Sequence, residues 1–468
     1  MSCFTRIEWC TFVVMLLNHE LIKRYNVPGP RYTSYPTVPH WSVTPTQEEW
    51  LNSVRLRFHE SNDSDGISIY IHLPFCESLC TYCGCNTRIT KNHAVEEPYV
   101  QYLHKEWSMY LSVFGQKPKI REIHLGGGTP TFFSAENLKR LIQGLMHHAD
   151  RHEDFEFSFE AHPANTSEEH LQTLYGLGFT RLSLGVQDFN PKVQKAINRH
   201  QTVEDVERVM NQAKAIGYKS INLDIIYGLP FQTLDSINET IGEMTRLKPE
   251  RIAYYSYAHV PWIKPGQRGF TEMDLPTDSY KRSLYELGKE MLLTAGYAEV
   301  GMDHFSLPGD ELLTAMHQGK MHRNFMGYTS HRSELLLGLG VSSISDSWDM
   351  FAQNEKTLPK YYEALDQNQL PIFKGHILSN EDLLVRKIIL DLMCTFKTTL
   401  SELKKFDLHY AIFKSKIRPL ILDGLAEIQG DTLVVLEQGK PFVRNICMTL
   451  DFYLDGKTDL SERFSTTV

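Results

Sequence analysis

The sequence is poor in cysteine and has no hydrophobic run of membrane-spanning length. Eight cysteines among 468 residues are too few for a disulfide-rich framework. The nearest candidate for a span or a secretion signal, residues 9–17, is too short for a bilayer and has no small-residue cleavage site after it. Because Met15 lies in that run, we interpret residues 1–14 as a start-site extension or a short helix. We expect no membrane partner and a cytoplasmic location.

The chain also lacks an excess of positive charge, internal repeats and low-complexity segments. Its formal net charge of −9 argues against a general nucleic-acid-binding surface, so we expect no nucleic-acid partner. A hydrophobic content of 42% and a charged content of 22% are typical of a globular protein. The length suffices for a barrel-sized domain and a smaller one.

Four of the eight cysteines crowd into one short segment. Cys76, Cys80, Cys83 and Cys85 follow the alternating, β-branched run 67–73, which predicts a strand, so they lie on a loop that leaves a strand end. The C-x3-C-x2-C spacing lets three thiolates reach one compact iron–sulfur centre. In a four-iron cubane this leaves one iron open for a ligand that is not protein. A zinc site and ordinary buried thiols are the alternatives, although Cys85 follows Cys83 too closely for easy tetrahedral closure.

Strand-like and helix-like runs alternate through the middle of the chain. The predicted strands are 67–73, 122–125, 155–160, 181–186, 220–226 and 252–258, and the predicted helices are 98–114, 135–148, 167–177, 203–216, 234–247 and 277–295. Six β-α units in series predict an α/β fold with a parallel sheet and right-handed crossovers. Because few residues are left to close a ring of eight strands, we expect a partial, six-stranded (β/α)6 barrel.

Polar residues and glycines recur where these strands end. They are the cysteine loop, Gly126-Gly-Gly-Thr-Pro130, Glu160, Gln187, Asp224 and Ala258. The glycine run lacks the Gly-Lys-Ser/Thr ending of a P-loop, but its backbone can approach a ligand closely and offer amide donors. In parallel α/β folds ligands bind at the carboxyl ends of the strands. We therefore expect one site there, for a ligand whose amine and carboxylate complete the open iron.

Two further regions flank the predicted barrel. Residues 1–66 form an amino-terminal extension, and its Pro- and Tyr-rich part, residues 25–36, predicts either a linker or an arm folded over a pocket. Residues 67–350 hold the barrel and a loop-rich end. Residues 351–468 are mainly helical, with a hairpin signal at 425–436, which predicts a smaller winged-helix-like domain. The acidic balance favours a role in enclosing substrate over nucleic-acid binding.

These motifs together resemble the radical S-adenosylmethionine superfamily. The resemblance rests on the spacing of the first three cysteines, on Tyr82 before the third, and on the glycine run. The chain is more closely similar to the oxygen-independent coproporphyrinogen III dehydrogenases, also called oxidases, over roughly residues 20–455. The matching stretches include Gly29-Pro-Arg-Tyr-Thr-Ser-Tyr-Pro36, Cys83-Gly-Cys85, Gly185-Val-Gln-Asp-Phe189, Asp224-Ile-Ile-Tyr-Gly-Leu-Pro230, Gly301-Met-Asp-His-Phe305, His322-Arg-Asn-Phe325 and Arg444-Asn-Ile-Cys-Met448.

The resemblance implies two kinds of cofactor. Cys76, Cys80 and Cys83 would hold a [4Fe–4S] cluster, with Cys85 a family residue that is not a ligand. Two S-adenosylmethionine molecules would bind, one of them chelating the open iron. The residues that match contacts of the first are Tyr70, Gly127 and Glu160. Those that match contacts of the second are Tyr82, Gly128, Thr129, Gln187, Arg199, Asp224, Ala258 and Ile344.

The resemblance also implies a reaction and partners. Radical chemistry would oxidatively decarboxylate two propionates of coproporphyrinogen III to vinyl groups, giving protoporphyrinogen IX in haem biosynthesis. An external electron donor such as a flavodoxin system would be needed, and the family is usually monomeric. Candidate cations for the substrate's propionates are Arg31, His322, Arg323 and Arg332.

Three residues depart from the family pattern. Met326 and His331 stand where glutamine is common, and His162 stands where aspartate is frequent, so we expect changes near the pocket.

Two other functions are alternatives to this reaction. One is that of a haem chaperone or another tetrapyrrole-acting relative. The other is a non-catalytic iron–sulfur or zinc module whose winged-helix tail binds nucleic acid.

Overall fold

The computed structural model describes residues 20–455, 464, 466 and 467, which form two compact units. The larger unit comprises Trp41–Lys320 and Tyr328–Ile377, and the smaller comprises the described residues up to His40, Met321–Gly327 and those from Leu378 onward. This division differs from the predicted boundaries at 66/67 and 350/351. Residues 41–66 and 351–377 belong to the larger unit, where Trp41 stacks on Phe351 with ring centroids 5.2 Å apart. The interpretation of residues 1–14 lies outside the described residues.

The larger unit is built on a twelve-stranded mixed sheet. Its strands are β1 Ile67–Leu73, β2 Lys119–Gly127, β3 Asp150–Ala161, β4 Phe179–Gln187, β5 Ser220–Tyr227, β6 Arg251–Ser256, β7 Ala298–Val300, β8 His304–Ser306, β9 Leu336–Leu339, β10 Ile344–Asp346, β11 Met350–Asn354 and β12 Ile372–Ile377. Their order is β12-β11-β10-β9-β1-β2-β3-β4-β5-β6-β8-β7. Strands β1 to β6 run parallel in sequence order, which confirms the six predicted strands.

Helices connect the parallel strands as the periodicity predicts. In the larger unit they are α1 Gln47–Ser61, α2 Glu96–Phe114, α3 Ala135–Met146, α4 Glu168–Gly176, α5 Pro191–Ala196, α6 Val203–Ile216, α7 Leu234–Leu247, α8 Asp278–Thr294, α9 Glu311–His317 and α10 Leu358–Asp366. Several begin at a side-chain cap. At the start of α6 the Thr202 hydroxyl accepts a hydrogen bond from the Asp205 amide, and the Asp205 carboxylate accepts one from the Thr202 amide. No helix in the described part of the chain is long and apolar enough to span a membrane.

The alternation of β1 shows how the sheet separates core from site. Ile67, Ile69 and Ile71 are fully buried in the main hydrophobic cluster, together with residues of α2 such as Leu103. The intervening positions of β1 are polar or aromatic, because successive side chains of a strand point to opposite faces. One face of the sheet therefore packs on helices, and the other carries the groups that meet at the strand ends.

The sheet extends beyond the six predicted strands. Strand β9 pairs in parallel with β1, placing Gly338 opposite Tyr70, and β10, β11 and β12 continue it in antiparallel fashion. At the other edge β8 pairs antiparallel with β6. The predicted loop-rich end of residues 67–350 also contains the short strands β8, β9 and β10. They are only three or four residues long, too short to give a periodic signal.

The smaller unit contains described residues from the early and the late parts of the chain. It contains α11 Asn380–Thr395, α12 Asp407–Leu422 and α13 Val443–Met448, the strand His322–Asn324, and a three-stranded antiparallel sheet of Lys397–Thr399, Ala426–Gln429 and Thr432–Val435. The last two strands form the predicted hairpin, with Gly430 at φ +60° in the turn. The guanidinium of Arg444 donates to the carbonyls of Gly29 and Pro30, so the amino-terminal arm is anchored in this unit.

A buried carboxylate ties the added strands to the helical layer. Glu106 of α2 is fully buried and accepts hydrogen bonds from the Gly340 amide at 2.8 Å, the Asn354 amide nitrogen at 2.6 Å and the Tyr361 hydroxyl at 2.7 Å. Burial raises the pKa of this carboxyl to about 7, although the three donors oppose the shift. One side chain thus satisfies three donors around the end of β9.

We predict that Glu106→Ala lowers the free energy of unfolding by about 3 kcal/mol, because three buried donors lose their acceptor. Urea denaturation followed by circular dichroism measures the change. Glu97→Ala is the matched control, since Glu97 lies on the same helix and its side chain is 56% exposed beside Arg140. That control is expected to change stability by less than about 0.5 kcal/mol. Equal effects of the two substitutions would contradict the role assigned to Glu106.

Candidate active site

The cysteine loop is closed at its base by backbone pairing. Residues Phe75–Cys76 form a short parallel ladder with Arg88–Ile89. The Arg88 amide donates to the carbonyl of Pro74 at 2.7 Å, and the Thr90 amide donates to the carbonyl of Cys76 at 2.9 Å. The four cysteines therefore lie on a loop fastened to the carboxyl end of β1.

The glycine run after β2 packs against the root of this loop. A Cβ atom on Gly128 would lie 2.7 Å from the carbonyl group of Pro74, and the Gly128 amide donates to the carbonyl of Leu73 at 2.8 Å. Gly127 has φ +114°, and a Cβ there would lie 2.7 Å from the ring of His72. Only glycine permits this close approach, which brings the two strand ends together.

The cysteine sulfurs have distinct polar neighbours. The Cys76 sulfur lies 3.4 Å from the Thr129 hydroxyl, the Cys80 sulfur lies 3.7 Å from Arg199 Nη1, and the Cys83 sulfur accepts the Cys85 amide at 3.4 Å. Hydrogen bonding from Cys85 lowers the pKa of Cys83 to about 6, whereas burial raises the pKa of Cys76 to about 11. Cys85 thus stabilises the thiolate of its neighbour.

The cysteine sulfurs of the described residues do not form a preassembled site for a single zinc ion. Two ligands at ~2.3 Å from one zinc ion cannot lie more than about 4.6 Å apart. Among the described residues, no three cysteines have sulfur atoms that all lie within 4.8 Å of one another, and all six described cysteines are free thiols. The loop offers the thiolate donors that an iron–sulfur centre takes.

The first group of predicted contacts converges beside Gly126. A Cβ on Gly126 would lie 3.0 Å from the Tyr70 ring and 3.1 Å from a carboxylate oxygen of Glu160, so both side chains meet over this glycine. The Gly127 amide donates to Glu160 at 3.2 Å. Burial opposes ionisation of Glu160, but the hydrogen bond and charge of His124 and the Gly127 amide leave its pKa below the ordinary value. Glu160 is therefore an ionised acceptor.

The second group surrounds Gly185 at the end of β4. A Cβ there would lie 2.7 Å from the Gln187 amide nitrogen and 3.0 Å from Arg199 Nη2, and Asp224 is the partner of Gly185 across the β4–β5 ladder. Gln187 has φ +69° at a register shift, which turns the end of the strand. Burial and then the charge of Glu160 raise the pKa of Asp224 to about 6.

The remaining predicted residues lie around these two groups. Thr129 donates its amide to the carbonyl of Phe75 at 3.0 Å. The side-chain amide of Gln267 donates to the carbonyls of Tyr82 at 2.9 Å and Ala258 at 3.2 Å, which joins the cysteine loop to the segment after β6. Ile344 lies beside Gly338, which pairs with Tyr70 across the β1–β9 ladder. A Cβ on Gly338 would be 2.5 Å from the Ile344 carbonyl oxygen. All the residues predicted as cofactor contacts thus lie in the larger unit.

Sequence reasoning missed a supporting layer one step down the strands. His124 lies 3.4 Å from Glu160, stacks on Tyr70 with centroids 6.0 Å apart, and is fixed by Ser158 at 2.8 Å. Asn222 donates to Asp224 at 2.7 Å in the same way. The two-residue alternation contains this signal, because His124 and Gly126 share one face of β2, as Asn222 and Asp224 share one face of β5.

One departure from the family pattern, His331, and one candidate cation, Arg332, lie away from the cysteine loop. His331 accepts from Arg121 at 3.1 Å and clusters with Glu156 and Glu311. Glu156 precedes Glu160 by four residues, or about 13 Å along a strand, toward the amino end. Arg332 pairs with Glu334 at 2.9 Å, just before β9 begins. His331 and Arg332 thus lie toward the amino ends of the strands, away from the glycine run and the cysteine loop.

The other departures and cations have different surroundings. His162 lies near Arg199, and burial followed by that charge lowers its pKa to about 3. In the smaller unit the Met326 amide donates to Asn324 at 2.9 Å, and Arg323 donates to the carbonyl of Arg31 at 3.2 Å. Of the three departures, His162 is thus the one the larger unit brings to the strand ends.

Comparison with known proteins agrees with this geometry. The family model of the radical SAM superfamily matches residues 70–244. The oxygen-independent coproporphyrinogen III oxidases of Synechocystis and Escherichia coli are 36% and 37% identical to this chain over 457 and 453 residues, covering 96% of it and 97% and 98% of the relatives. The solved structure of the Escherichia coli enzyme, described as a radical SAM enzyme, superposes with a TM-score of 0.87 at 36% identity over 93% of this chain and 99% of that one.

The likeness extends over nearly the full length of both chains, well beyond the radical SAM core alone. It includes the anchored arm and the helical carboxyl-terminal region as well as the sheet. The chain therefore belongs to the oxygen-independent coproporphyrinogen III oxidase family of the radical SAM superfamily.

Proposed function

We propose that this chain converts two propionate side chains of coproporphyrinogen III to vinyl groups, giving protoporphyrinogen IX. The observation that carries the proposal is full-length similarity: the relatives named for this activity align with 96% of the chain, not only with its radical SAM core. A tetrapyrrole-acting relative with another activity is less well supported, because the coproporphyrinogen oxidase likeness includes the smaller unit.

Membership of the radical SAM superfamily implies a [4Fe–4S] cluster and S-adenosylmethionine. When bound, they would supply the radical chemistry that removes a hydrogen atom from the propionate β-carbon, and the loss of CO2 would then pass one further electron to an external acceptor. In our proposal Cys76, Cys80 and Cys83 hold the cluster. Their loop is rigidly based on β1 and on the glycine run, so the chain's task is to position and enclose.

Two S-adenosylmethionine molecules are proposed for the strand ends. Tyr70, Gly127 and Glu160 would contact the first. The ionised Glu160 suits ribose hydroxyl donors, and the Gly127 amide holds that carboxylate in place. The proposed contacts of the second are Tyr82, Gly128, Thr129, Gln187, Arg199, Asp224, Ala258 and Ile344. Arg199 suits a carboxylate, and its buried Nε has no hydrogen-bond partner among the described residues.

The proposal extends to surroundings and partners. The enzyme would act as a monomer in the cytoplasm, where free thiols and an oxygen-sensitive cluster persist. An external one-electron donor such as a flavodoxin would reduce the cluster. The net charge of −9 gives no support to a nucleic-acid role.

The proposed activity is tested under anaerobic conditions with reconstituted cluster, S-adenosylmethionine, dithionite and coproporphyrinogen III. We expect protoporphyrinogen IX with release of two CO2 per substrate, measured by chromatography after oxidation to the porphyrin. Deoxyadenosine without decarboxylation would assign the chain to another tetrapyrrole-acting function. If a fully loaded enzyme forms neither protoporphyrinogen IX nor deoxyadenosine, that result would contradict the radical chemistry as well as the decarboxylation.

The roles of the loop cysteines are separated by two serine substitutions. We predict that Cys80→Ser prevents stable cluster assembly, because one of three thiolate ligands is lost. Cys85→Ser is expected to retain cluster iron and sulfide near the wild-type content. Iron and acid-labile sulfide analysis after reconstitution measures both, and equal iron loss in the two variants would contradict the assignment of three ligands.

The role of Glu160 is tested by removal of its charge. We expect Glu160→Gln to raise KM for S-adenosylmethionine about tenfold, since a hydrogen bond to a charged group is worth roughly 1.5–3 kcal/mol and 1.4 kcal/mol is about a factor of ten. Steady-state kinetics at saturating coproporphyrinogen III provide the measurement. Glu153→Gln, on the exposed part of the same strand, is the control. An unchanged KM in Glu160→Gln would remove this contact from the proposal.

A further inference from the structure

We propose that the surface flanking the cysteine loop is the docking site of a small, acidic electron-carrier protein of the flavodoxin type. This inference rests on the proposed function, which requires one-electron reduction of the cluster from outside the chain. The carrier loses one electron and the cluster gains it, and no covalent bond forms or breaks. The cysteine loop itself is open to solvent at residues 77–79 and 84–85, so a protein partner can come close.

Large apolar side chains are exposed on two segments next to this loop. Leu79 and Ile89 are 41% and 39% exposed, and Trp262 and Ile263 are 54% and 57% exposed. Leu79 belongs to the loop, and Ile89 pairs with Cys76. Exposed apolar residues grouped around one feature are typical of a protein interface.

The second segment is joined to the loop by direct contacts. Lys264 Nζ donates to the carbonyl of Cys85 at 3.2 Å. A Cβ on Gly266 would lie 3.3 Å from the Leu79 side chain, and one on Gly269 would lie 3.3 Å from Thr81. Residues 262–269 therefore extend the exposed surface of the loop, and we call the two segments, 79–91 and 262–269, the flanking surface.

The flanking surface is positive in a chain that is negative overall. The two segments, 79–91 and 262–269, contain no aspartate or glutamate, although the chain has a net charge of −9, and the nearest carboxylate of the loop, Glu77, lies 3.7 Å from His93. They contribute Arg88, Lys91, Lys264 and Arg268. None of these four forms an ion pair with a described carboxylate, and three of them, all but the half-buried Lys264, are exposed. An acidic partner would supply the missing counter-charges and be steered to the loop.

The size and openness of the surface favour a protein over the porphyrinogen. Small ligands are usually enclosed in concave pockets that cover most of their surface. Here the apolar groups are about half exposed on the outer side of the loop. A carrier protein can bury them while it places its redox group near the cysteines.

The charge-reversed double variant Lys91→Glu/Arg268→Glu tests this inference. We expect Kd for oxidised flavodoxin, measured anaerobically by calorimetry on the cluster-loaded enzyme, to rise about tenfold at low salt. The salt dependence of Kd should weaken as well. Lys139→Glu/Lys219→Glu, which reverses two exposed cations on α3 and just before β5, makes the same change in net charge and should leave Kd unchanged.

Turnover with two reductants separates the inference from the proposed function. The Lys91/Arg268 variant should keep wild-type turnover with dithionite and lose most turnover with limiting reduced flavodoxin. A raised KM for coproporphyrinogen III with dithionite would assign the surface to substrate and overturn the inference. Equal flavodoxin binding by both double variants would overturn it too. Absent turnover of the wild type with dithionite would instead contradict the proposed function.

Discussion

The close approach of Gly128 to the backbone of Pro74 is the contact on which the site depends. It packs the glycine run against the root of the cysteine loop. Two strand ends that are about 50 residues apart in sequence are therefore in contact. Any side chain at Gly128 would push the loop away from β2. Parallel strands end at the same edge of a sheet. The relative positions of the cysteines, Glu160 and the groups around Gly185 are therefore fixed.

The polar face of the sheet is arranged in steps. At the edge lie Gly126, Glu160 and Asp224, and one step below lie His124 and the partners of these carboxylates. Glu160 is kept ionised by donors and has a lowered pKa, whereas burial and the nearby charge of Glu160 raise the pKa of Asp224 to about 6. Asp224 therefore takes up a proton at a higher pH than Glu160 does, although both are mainly ionised at pH 7.

The sequence was sufficient for the parts of the molecule that carry a long periodic signal. Alternation in residues 67–73 and the period of helix 203–216 are reproduced without change of boundary. The short strands β7 to β12 were invisible because they owe their structure to pairing with a neighbour, as β9 does with β1. His331 shows the complementary error: a residue near a motif in sequence lies at the opposite end of the strands, since its neighbour there is Glu156.

The anchoring of Gly29 and Pro30 by Arg444 has a consequence for how the protein is made. These residues are more than 400 positions apart, so the arm leaves the ribosome long before its partner exists. Strand β1 likewise waits for β9 to cover its edge. During synthesis the parallel sheet can begin to form from its own consecutive units, whereas the arm stays unpaired until the last part of the chain emerges. The smaller unit is then completed last.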